Sequence, residues 1–462
     1  MTNTAVLKQI GVFAAGAGCL CAAPEQGNPQ PNILLILADD AGYHDFGFQG
    51  DPLYRELTPN IDTIARDGGR FTEAYVSCNV CAPSRAGLMT GMHQQRFGFQ
   101  NNDSVSNWNA KKEARFGLDL AQKTVADRLK ALGYYTGIVG KWHLGYIEGY
   151  YPTRRGFDYF MGLRGGSRSF FPNPEYSRAT NADQYKQLEK NGKIIPENEI
   201  HHVTDCFGDA ALEFLDQALH QDHPFFLYLS FTAPHTPLQP DDESLAKAKR
   251  LFPDAEAKRQ AYLGLIAGMD RNVGRVLDFL REHKLDQNTL VVFLSDNGGS
   301  AKNAANNDPL RGHKWTPFEG GYRVPMAVKW PGVIAAGSVF STPVMSLDLL
   351  PTFLKAAGGE VADELDGRDL RSLMEGTPGD DRTFLWRDRN KEGLTSTILR
   401  YPWKLIIQDE APKNVAPAGA RLFNLENDMA ESHNVAEQYP EIVQKLSSEL
   451  DVWTGSLPPP RW

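Results

Sequence analysis

The sequence predicts an α/β fold: a large mixed, mainly parallel sheet flanked by helices, followed by a smaller C-terminal α+β domain with an antiparallel sheet. Three observations predict this. Apolar runs alternate with helical patterns from residue 32 to about residue 350, polar clusters follow the ends of the runs, and short strands take over past residue 375. Continuous apolar runs are typical of strands that are buried on both faces.

The elements of the larger part follow from the spacing of their apolar residues. A helix is expected to open at Thr58 and Pro59, with a capping residue and a first-turn proline, and another runs from near Thr124 to Gly133. Buried strands are expected at residues 33–37, 134–139, 225–231 and 290–294, with a long amphipathic helix before the last. This alternation indicates parallel strands with helices on both faces.

The C-terminal part is predicted to be a separate unit. Four short strands are expected at residues 383–386, 395–400, 403–407 and 421–424, followed by a helix over residues 440–453. We therefore divide the chain into a signal peptide over residues 1–23, a catalytic domain over residues 24–375 and a C-terminal subdomain over residues 376–462.

The first residues are typical of an export signal. Lys8 precedes an apolar run over residues 10–21, and residues 21–23 form a small-residue cleavage site. The run is too short to span a bilayer. A lipid anchor on Cys19 is the alternative, but Gly16 stands where such signals usually carry Leu. We expect a cleaved, secreted or periplasmic protein.

Charge and cysteine content exclude several classes of protein. The 48 basic and 57 acidic residues give a net charge of −9, which argues against general binding to nucleic acid or to membrane surfaces. An anionic substrate in a local cationic pocket stays compatible with this charge. Cys78, Cys81 and Cys206 are the cysteines beyond the leader, too few for a disulfide scaffold.

Polar clusters follow four of the predicted strands directly. In parallel α/β sheets, ligands bind outside the carboxyl ends of the strands, so these clusters predict one shared site. The clusters are Asp39-Asp40, Lys141 to His143, His235, and Asp296-Asn297.

The acidic clusters offer only oxygen ligands. Asp39, Asp40, Asp296 and Asn297 have no Cys or His next to them, a donor set that suits calcium or magnesium better than zinc. The alternative is structural: Asp39 would cap a helix, and residues 296–298 would form a simple turn. Two oxygen-rich segments at matching strand ends favour the metal site.

Cationic side chains stand near the same strand ends. Lys141 and His143 are two residues apart, so both side chains face one way in an extended segment. Together with Arg85, His235 and Lys314 they predict a substrate with a compact anionic group, such as phosphate or sulfate.

Cys81 is expected at the N-terminus of a helix through Arg85, where backbone N–H groups favour an anion. A thiolate would be activated there. A soft sulfur nevertheless fits poorly beside a hard cation held by oxygens. A disulfide or redox pair with Cys78 is a further alternative, although neither cysteine lies in a thioredoxin-like setting.

Residues 81–85, Cys-Ala-Pro-Ser-Arg, followed by Leu-Met-Thr-Gly at 88–91, resemble the signature of type I, formylglycine-dependent sulfatases of the alkaline phosphatase superfamily. The resemblance extends to bacterial secreted enzymes acting on polysaccharides and aryl sulfates. Supporting motifs occur in the family's order at residues 32–40, 140–145, 233–237, 295–298, 312–325 and 422–428.

The resemblance implies sulfate-ester hydrolysis by formylglycine, formed from Cys81 by a formylglycine-generating or anaerobic sulfatase-maturating enzyme. It implies a calcium ion held by Asp39, Asp40, Cys81, Asp296 and Asn297. The implied roles of the remaining residues are these: Arg85 and Lys141 hold the aldehyde-derived group, Lys314 balances sulfate charge, His235 protonates the leaving oxygen and His143 accepts a proton as sulfate is expelled.

Substrate specificity is expected to come from cations mixed with aromatic residues, a combination that suits a sulfated carbohydrate. The candidates are His93, Arg96, Arg164 and Arg168, with Phe170 and Phe171 beside them. Two alternatives are a phosphodiesterase or phosphonate monoester hydrolase of the same superfamily, and an inactive calcium-dependent binder of sulfated glycans whose Cys81 is never modified.

Overall fold

The computed structural model describes residue 1 and residues 30–102, 116–178, 182–390, 393–408 and 419–461. The predicted signal peptide, with Cys19, lies outside the described residues apart from residue 1. The strands are β1 (Asn32–Ala38), β2 (Gly69–Phe71), β3 (Ala74–Tyr75), β4 (Tyr135–Lys141), β5 (Tyr159–Leu163), β6 (Glu189–Lys190), β7 (Lys193–Ile194), β8 (Phe225–Ser230), β9 (Thr289–Ser295), β10 (Met326–Lys329), β11 (Ser338–Phe340), β12 (Val344–Met345), β13 (Thr383–Asn390), β14 (Gly393–Arg400), β15 (Trp403–Gln408) and β16 (Gly419–Asn424).

Short 3₁₀ turns occur between several of the strands and α-helices. In chain order they are α1 (Pro52–Leu57), α2 (Ile61–Asp67), α3 (Cys81–Thr90), α4 (Val125–Ala131), α5 (Val203–Leu219), α6 (Asp242–Leu251), α7 (Ala257–Glu282), α8 (Glu319–Tyr322), α9 (Leu349–Ala356), α10 (Arg371–Met374) and α11 (Pro440–Ser456). Within the described ranges, no helix combines the length and the apolar character needed to cross a membrane.

A ten-stranded sheet forms the centre of the larger part, in the order β11-β2-β10-β9-β1-β8-β4-β5-β6-β7. Strand β1 lies between β8 and β9 and is parallel to both, and β4 continues the parallel set beside β8. Strand β10 is antiparallel to β9. The predicted mixed, mainly parallel sheet is therefore confirmed.

Helices cover both faces of this sheet. Along β1, Leu34 and Ile36 pack into the core formed with α5 and α7, whereas Leu35 and Leu37 pack into the core formed with α3, α4 and α9. Because successive side chains of a strand point to opposite faces, two apolar cores require an unbroken apolar run. This packing explains the continuous apolar sequence of residues 33–37.

The start of α2 differs from the prediction. The helix begins at Ile61, and Thr58 instead ends α1, where its N–H donates to the carbonyl of Tyr54. The cap comes from α7: one oxygen of Asp270 accepts from the N–H groups of Asn60 and Ile61, at 3.0 and 2.8 Å. A buried carboxylate from a distant helix thus replaces the local cap that the sequence suggests.

The C-terminal part forms a four-stranded antiparallel sheet, β13 to β16, with α11 against one face, as predicted. Its other face packs against the larger part, where Trp386 stacks on Tyr322. Buried charges cross this interface, because Lys404 Nζ lies 2.8 Å from Glu319 and 3.0 Å from Glu431. The exact domain boundaries stay a prediction.

Replacing the lysine at this interface should destabilise the protein strongly. Lys404→Met is expected to lower the free energy of unfolding by about 3–5 kcal/mol, because it removes the cation that the buried carboxylates of Glu319 and Glu431 share. Urea denaturation measures the change. The control is Arg400→Ala, which removes a pair with Glu449 whose side chains are 43% and 31% exposed and should cost less than about 1 kcal/mol. Equal, small losses in both variants would contradict the role given to Lys404.

Candidate active site

The predicted acidic residues meet at one edge of the sheet. Asp39 and Asp40 follow β1 directly, Asp296 and Asn297 follow β9, and the two strands are parallel with Ala38 opposite Ser295. The Asp40 N–H donates to Asp296 Oδ1 at 3.1 Å, and Asn297 Nδ2 donates to Asp40 Oδ1 at 2.8 Å. The structure therefore brings all four oxygen donors together.

Each carboxylate of this cluster has a cationic partner from another segment. Three carboxylates face three cations, so the pocket is close to neutral overall. The pairs are Lys141 Nζ with Asp39 at 2.7 Å, Lys314 Nζ with Asp40 at 2.6 Å, and Arg85 Nη2 with Asp296 at 2.8 Å.

These pairs keep the carboxylates ionised. Burial works to raise the pKa of Asp39 and of Asp40, but the charges of Lys141 and Lys314 respectively outweigh it and lower both pKa values. Asp296 differs, because burial raises its pKa to about 6 despite the charge of Arg85. Asp39 and Asp40 are therefore carboxylates at neutral pH, and the charge of Arg85 favours the ionised form of Asp296.

Arg85 is held by residues that sequence analysis missed. It lies one turn after Cys81 on α3 and is fully buried. Its Nη1 donates to Ser230 Oγ at 2.6 Å, and Ser230 Oγ in turn donates to the Lys141 carbonyl at 2.8 Å. In the sequence, Ser230 stands out only as the hydroxyl residue that ends the largely apolar strand β8. Ser230 thus fixes the guanidinium from the end of β8.

Cys81 begins α3 as predicted and faces the cation–carboxylate cluster. Its Sγ lies 2.9 Å from Lys314 Nζ and 3.9 Å from Asp40 Oδ1. Burial raises the pKa of Cys81 to about 11, although Lys141 and Lys314 oppose the shift. The thiol is therefore neutral rather than an activated thiolate. Neither Cys81 nor Cys78 is in a disulfide.

The oxygen donors fit a hard cation. Asp39 Oδ1 and Asn297 Oδ1 are buried and lack hydrogen-bond partners, and buried oxygens normally have one. One potential ligand atom from each of Asp39, Asp40, Cys81 and His235 lies within 4.8 Å of the others. Asp39, Asp40 and Cys81 belong to the predicted ligand set, and His235 is an addition to it. The other two predicted ligands, Asp296 and Asn297, form hydrogen bonds with Asp40.

The two predicted histidines follow parallel strands of the sheet, His143 after β4 and His235 after β8. His235 Nε2 lies 3.6 Å from Asp40 Oδ2, and its Nδ1 is 2.7 Å from the carbonyl of Thr236. A Cβ on Gly166 would stand 2.7 Å from the His143 ring, so a side chain at position 166 would displace the imidazole. Asp40 and His143 both have positive φ, 65° and 58°, a strained conformation that is common at functional sites.

The predicted substrate cations already have acidic partners. Arg96 pairs with Asp366 at 2.9 Å, Arg164 with Glu189 at 2.6 Å, and the buried Arg168 with Glu197 at 2.9 Å. His93 is buried against Trp453 of α11, and burial lowers its pKa to about 4. The carbonyl of Arg164 accepts the His143 N–H at 3.2 Å. Their assignment to substrate stays a prediction.

A buried carboxyl from the C-terminal sheet holds the loop before Cys81. Asp388 of β13 accepts from Cys78 Sγ at 3.2 Å, from Asn79 Nδ2 at 3.2 Å and from the Tyr322 hydroxyl. Burial raises the pKa of Asp388 to about 6. On the other side of Cys81, the N–H of Ala82 donates to Asn102 Oδ1 at 2.9 Å. Neither contact has a signal in the local sequence.

Comparison with known proteins places the chain among sulfatases. Residues 31–359 match the family described as Sulfatase, and residues 313–454 match "N-sulphoglucosamine sulphohydrolase, C-terminal". An N-acetylgalactosamine-6-sulfatase of Sus scrofa is 36% identical over 363 residues, which are 75% of this chain and 67% of that protein.

Two solved structures are informative. Ps i-CgsB, solved in complex with k-i-k-neocarrahexaose, is 36% identical and has a TM-score of 0.85, covering 94% of both chains. The phosphonate monoester hydrolase of Agrobacterium radiobacter is 20% identical with a TM-score of 0.63, covering 92% of this chain and 96% of that one. The second likeness concerns the fold alone.

Removing the carboxyl that holds the loop before Cys81 should cost stability, whereas a conservative change of its partner should not. Asp388→Ala is expected to lower the free energy of unfolding by about 2–4 kcal/mol, because three donors lose their acceptor. Cys78→Ser keeps a donor and should stay within about 1 kcal/mol of the wild type. Guanidinium denaturation measures both, and an unchanged Asp388→Ala variant would exclude this role.

Proposed function

The chain belongs to the sulfatase family, and we propose that this sulfuric-ester hydrolase removes sulfate from a carbohydrate, using formylglycine made from Cys81 and a bound calcium ion. One observation carries the proposal. The side chain of residue 81 projects from the start of α3 into the buried cluster of cations and carboxylates, where its Sγ lies 2.9 Å from Lys314 Nζ. Groups attached at this position meet both cations and carboxylate oxygens.

Calcium fits the oxygen donors of this pocket. Asp39, Asp40, Asp296 and Asn297 would hold it together with the group at position 81, and it would act as a Lewis acid toward sulfate oxygens. The three carboxylates and three cations of the pocket already balance. A divalent ion would therefore leave an excess of positive charge, which attracts an anionic sulfate ester.

The aldehyde proposed at position 81 would be made by a formylglycine-generating or anaerobic sulfatase-maturating enzyme. Its hydrate has two hydroxyls on one carbon, so one can attack sulfur and the other can lose a proton to expel sulfate. A plain serine or cysteine has no second hydroxyl for that release. Family resemblance supports this assignment, and the neutral thiol of the unmodified Cys81 is consistent with it.

The remaining side chains position the reacting groups and move protons. Arg85 and Lys141 are fixed by Asp296 and Asp39, so their charges are pre-oriented around position 81. His235 Nδ1 lies 2.7 Å from the Thr236 carbonyl, which accepts its N–H, so Nε2 is directed toward the pocket. In the imidazolium form both ring nitrogens carry a proton, and Nε2 would then protonate the leaving oxygen and become the acceptor. His143 would accept the proton whose loss expels sulfate.

The carbohydrate substrate is supported by the names of similar proteins. One acts on N-acetylgalactosamine 6-sulfate by name, and another was solved with k-i-k-neocarrahexaose. The export signal expected at the N-terminus is consistent with a polymeric substrate outside the cytoplasm, and we propose a secreted or periplasmic location.

A saccharide panel tests the proposed reaction. The mature wild-type enzyme is expected to release inorganic sulfate, measured by ion chromatography, from at least one sulfated mono- or oligosaccharide, N-acetylgalactosamine 6-sulfate and neocarrahexaose included. Cys81→Ala should lower the rate by at least about 10³-fold, because it removes the nucleophile. Matched aryl sulfate and aryl phosphate diester serve as controls. Faster turnover of the diester would replace the sulfatase assignment with a phosphodiesterase.

Removal of calcium should lower both stability and activity. A chelator is expected to reduce the midpoint of thermal unfolding and sulfate release, and added calcium should restore both. At a calcium concentration 100-fold above Kd, binding stabilises by about 2.7 kcal/mol. Asn297→Ala should need more calcium for the same midpoint, while the exposed control Asn288→Ala should titrate like the wild type. A midpoint that does not respond to calcium would refute the metal site.

A further inference from the structure

Trp315 lies beside the proposed catalytic pocket. It directly follows Lys314, whose Nζ contacts both Cys81 Sγ and Asp40 Oδ1. Its own backbone N–H donates to the carbonyl of Asn79 at 3.1 Å, two residues before Cys81. The turn that contains Trp315 therefore contacts both the loop before Cys81 and, through Lys314, the pocket itself.

The indole of Trp315 is partly open to solvent. It is 40% exposed, whereas Trp142 and Trp386 are fully buried in the cores. Aromatic rings that expose a face beside a polar pocket are typical of ligand-binding surfaces. The exposed part of the ring can therefore be reached from solvent.

The backbone at Trp315 is unfavourable for a side chain. Its φ is +76°, in the left-handed region that favours glycine. Surrounding bonds hold the turn: the N–H of Lys314 donates to the Gly299 carbonyl at 3.1 Å, and Asn79 Nδ2 donates to the Thr316 carbonyl at 3.1 Å. Glycine would satisfy this turn with less strain. A strained residue held in place beside a catalytic group points to function.

We propose that the exposed face of Trp315 is the platform on which the sugar ring that carries the scissile sulfate stacks. The inference rests on the proposed function, since it assumes a carbohydrate substrate. A pyranose presents an apolar C–H face that an indole can cover, while its sulfate is held by the cations below. The predicted substrate cations already pair with carboxylates; these are Arg96, Arg164 and Arg168. A contact between the sugar and the Trp315 ring is therefore better supported as a source of sugar affinity than a contact with these cations.

The test separates sugar binding from sulfate binding. The probe is the sulfated saccharide that the wild type hydrolyses fastest, with inorganic sulfate as a product inhibitor that occupies only the sulfate pocket. Trp315→Gly is expected to raise KM for the saccharide about tenfold, equivalent to about 1.4 kcal/mol. The value of kcat should stay within about twofold, and the inhibition constant of sulfate should not change. The thermal midpoint should be equal or higher, because glycine relieves the strained turn.

Two further variants complete the experiment. Trp315→Phe keeps a ring and should recover most of the saccharide affinity. Tyr401→Ala removes a comparably exposed aromatic, 41% exposed in the turn between β14 and β15, and should leave KM unchanged.

Three outcomes would contradict the proposed stacking of the sugar ring on Trp315. An unchanged saccharide KM in Trp315→Gly, with an active wild type, overturns the platform alone. A parallel loss of sulfate inhibition and thermal stability would show a structural role for Trp315 instead. A wild type that hydrolyses aryl sulfates but no saccharide would overturn the carbohydrate substrate, and the platform with it.

Discussion

Three buried carboxylates at the carboxyl ends of two neighbouring strands must be balanced by positive charge, and this requirement organises the centre of the protein. An uncompensated buried carboxylate costs several kcal/mol, so Asp39, Asp40 and Asp296 are tolerated only with cations at hydrogen-bond distance. The three cations come from different segments of the chain: Arg85 from α3, Lys141 from the end of β4 and Lys314 from the loop after β9. The same ion pairs that hold these segments together also assemble the proposed catalytic site.

The C-terminal sheet is part of this arrangement and contributes more than a covering layer. Asp388 accepts hydrogen bonds from the loop that precedes Cys81, and Lys404 joins the sheet to Glu319 through a buried ion pair. Both contacts are desolvated, so each stabilises the docked position only when every partner is present. The position of Cys81, the proposed precursor of the nucleophile, therefore depends on a domain that supplies no residue to the predicted chemistry.

Sequence patterns predicted the strands and the shared edge because each depends on local rules. An apolar run is needed wherever a strand is buried on both faces, and parallel strands bring their carboxyl ends together. Long-range contacts leave no such pattern. Asp270 caps α2 from 210 residues away, and Asp388 meets Cys78 from 310 residues away. The partners of Arg164 and Arg168 were missed for the same reason, since a charge gives no indication of which carboxylate it pairs with.

The central claim is that Cys81 is the precursor of an aldehyde nucleophile, and peptide mass spectrometry of protein from its native host tests it most directly. Conversion of –CH2SH to –CHO lowers the mass of the Cys81 peptide by about 18 Da. The account predicts this lighter peptide in every preparation that hydrolyses sulfate esters, in proportion to the rate. A fully active preparation in which the peptide keeps the mass of unmodified cysteine would contradict it.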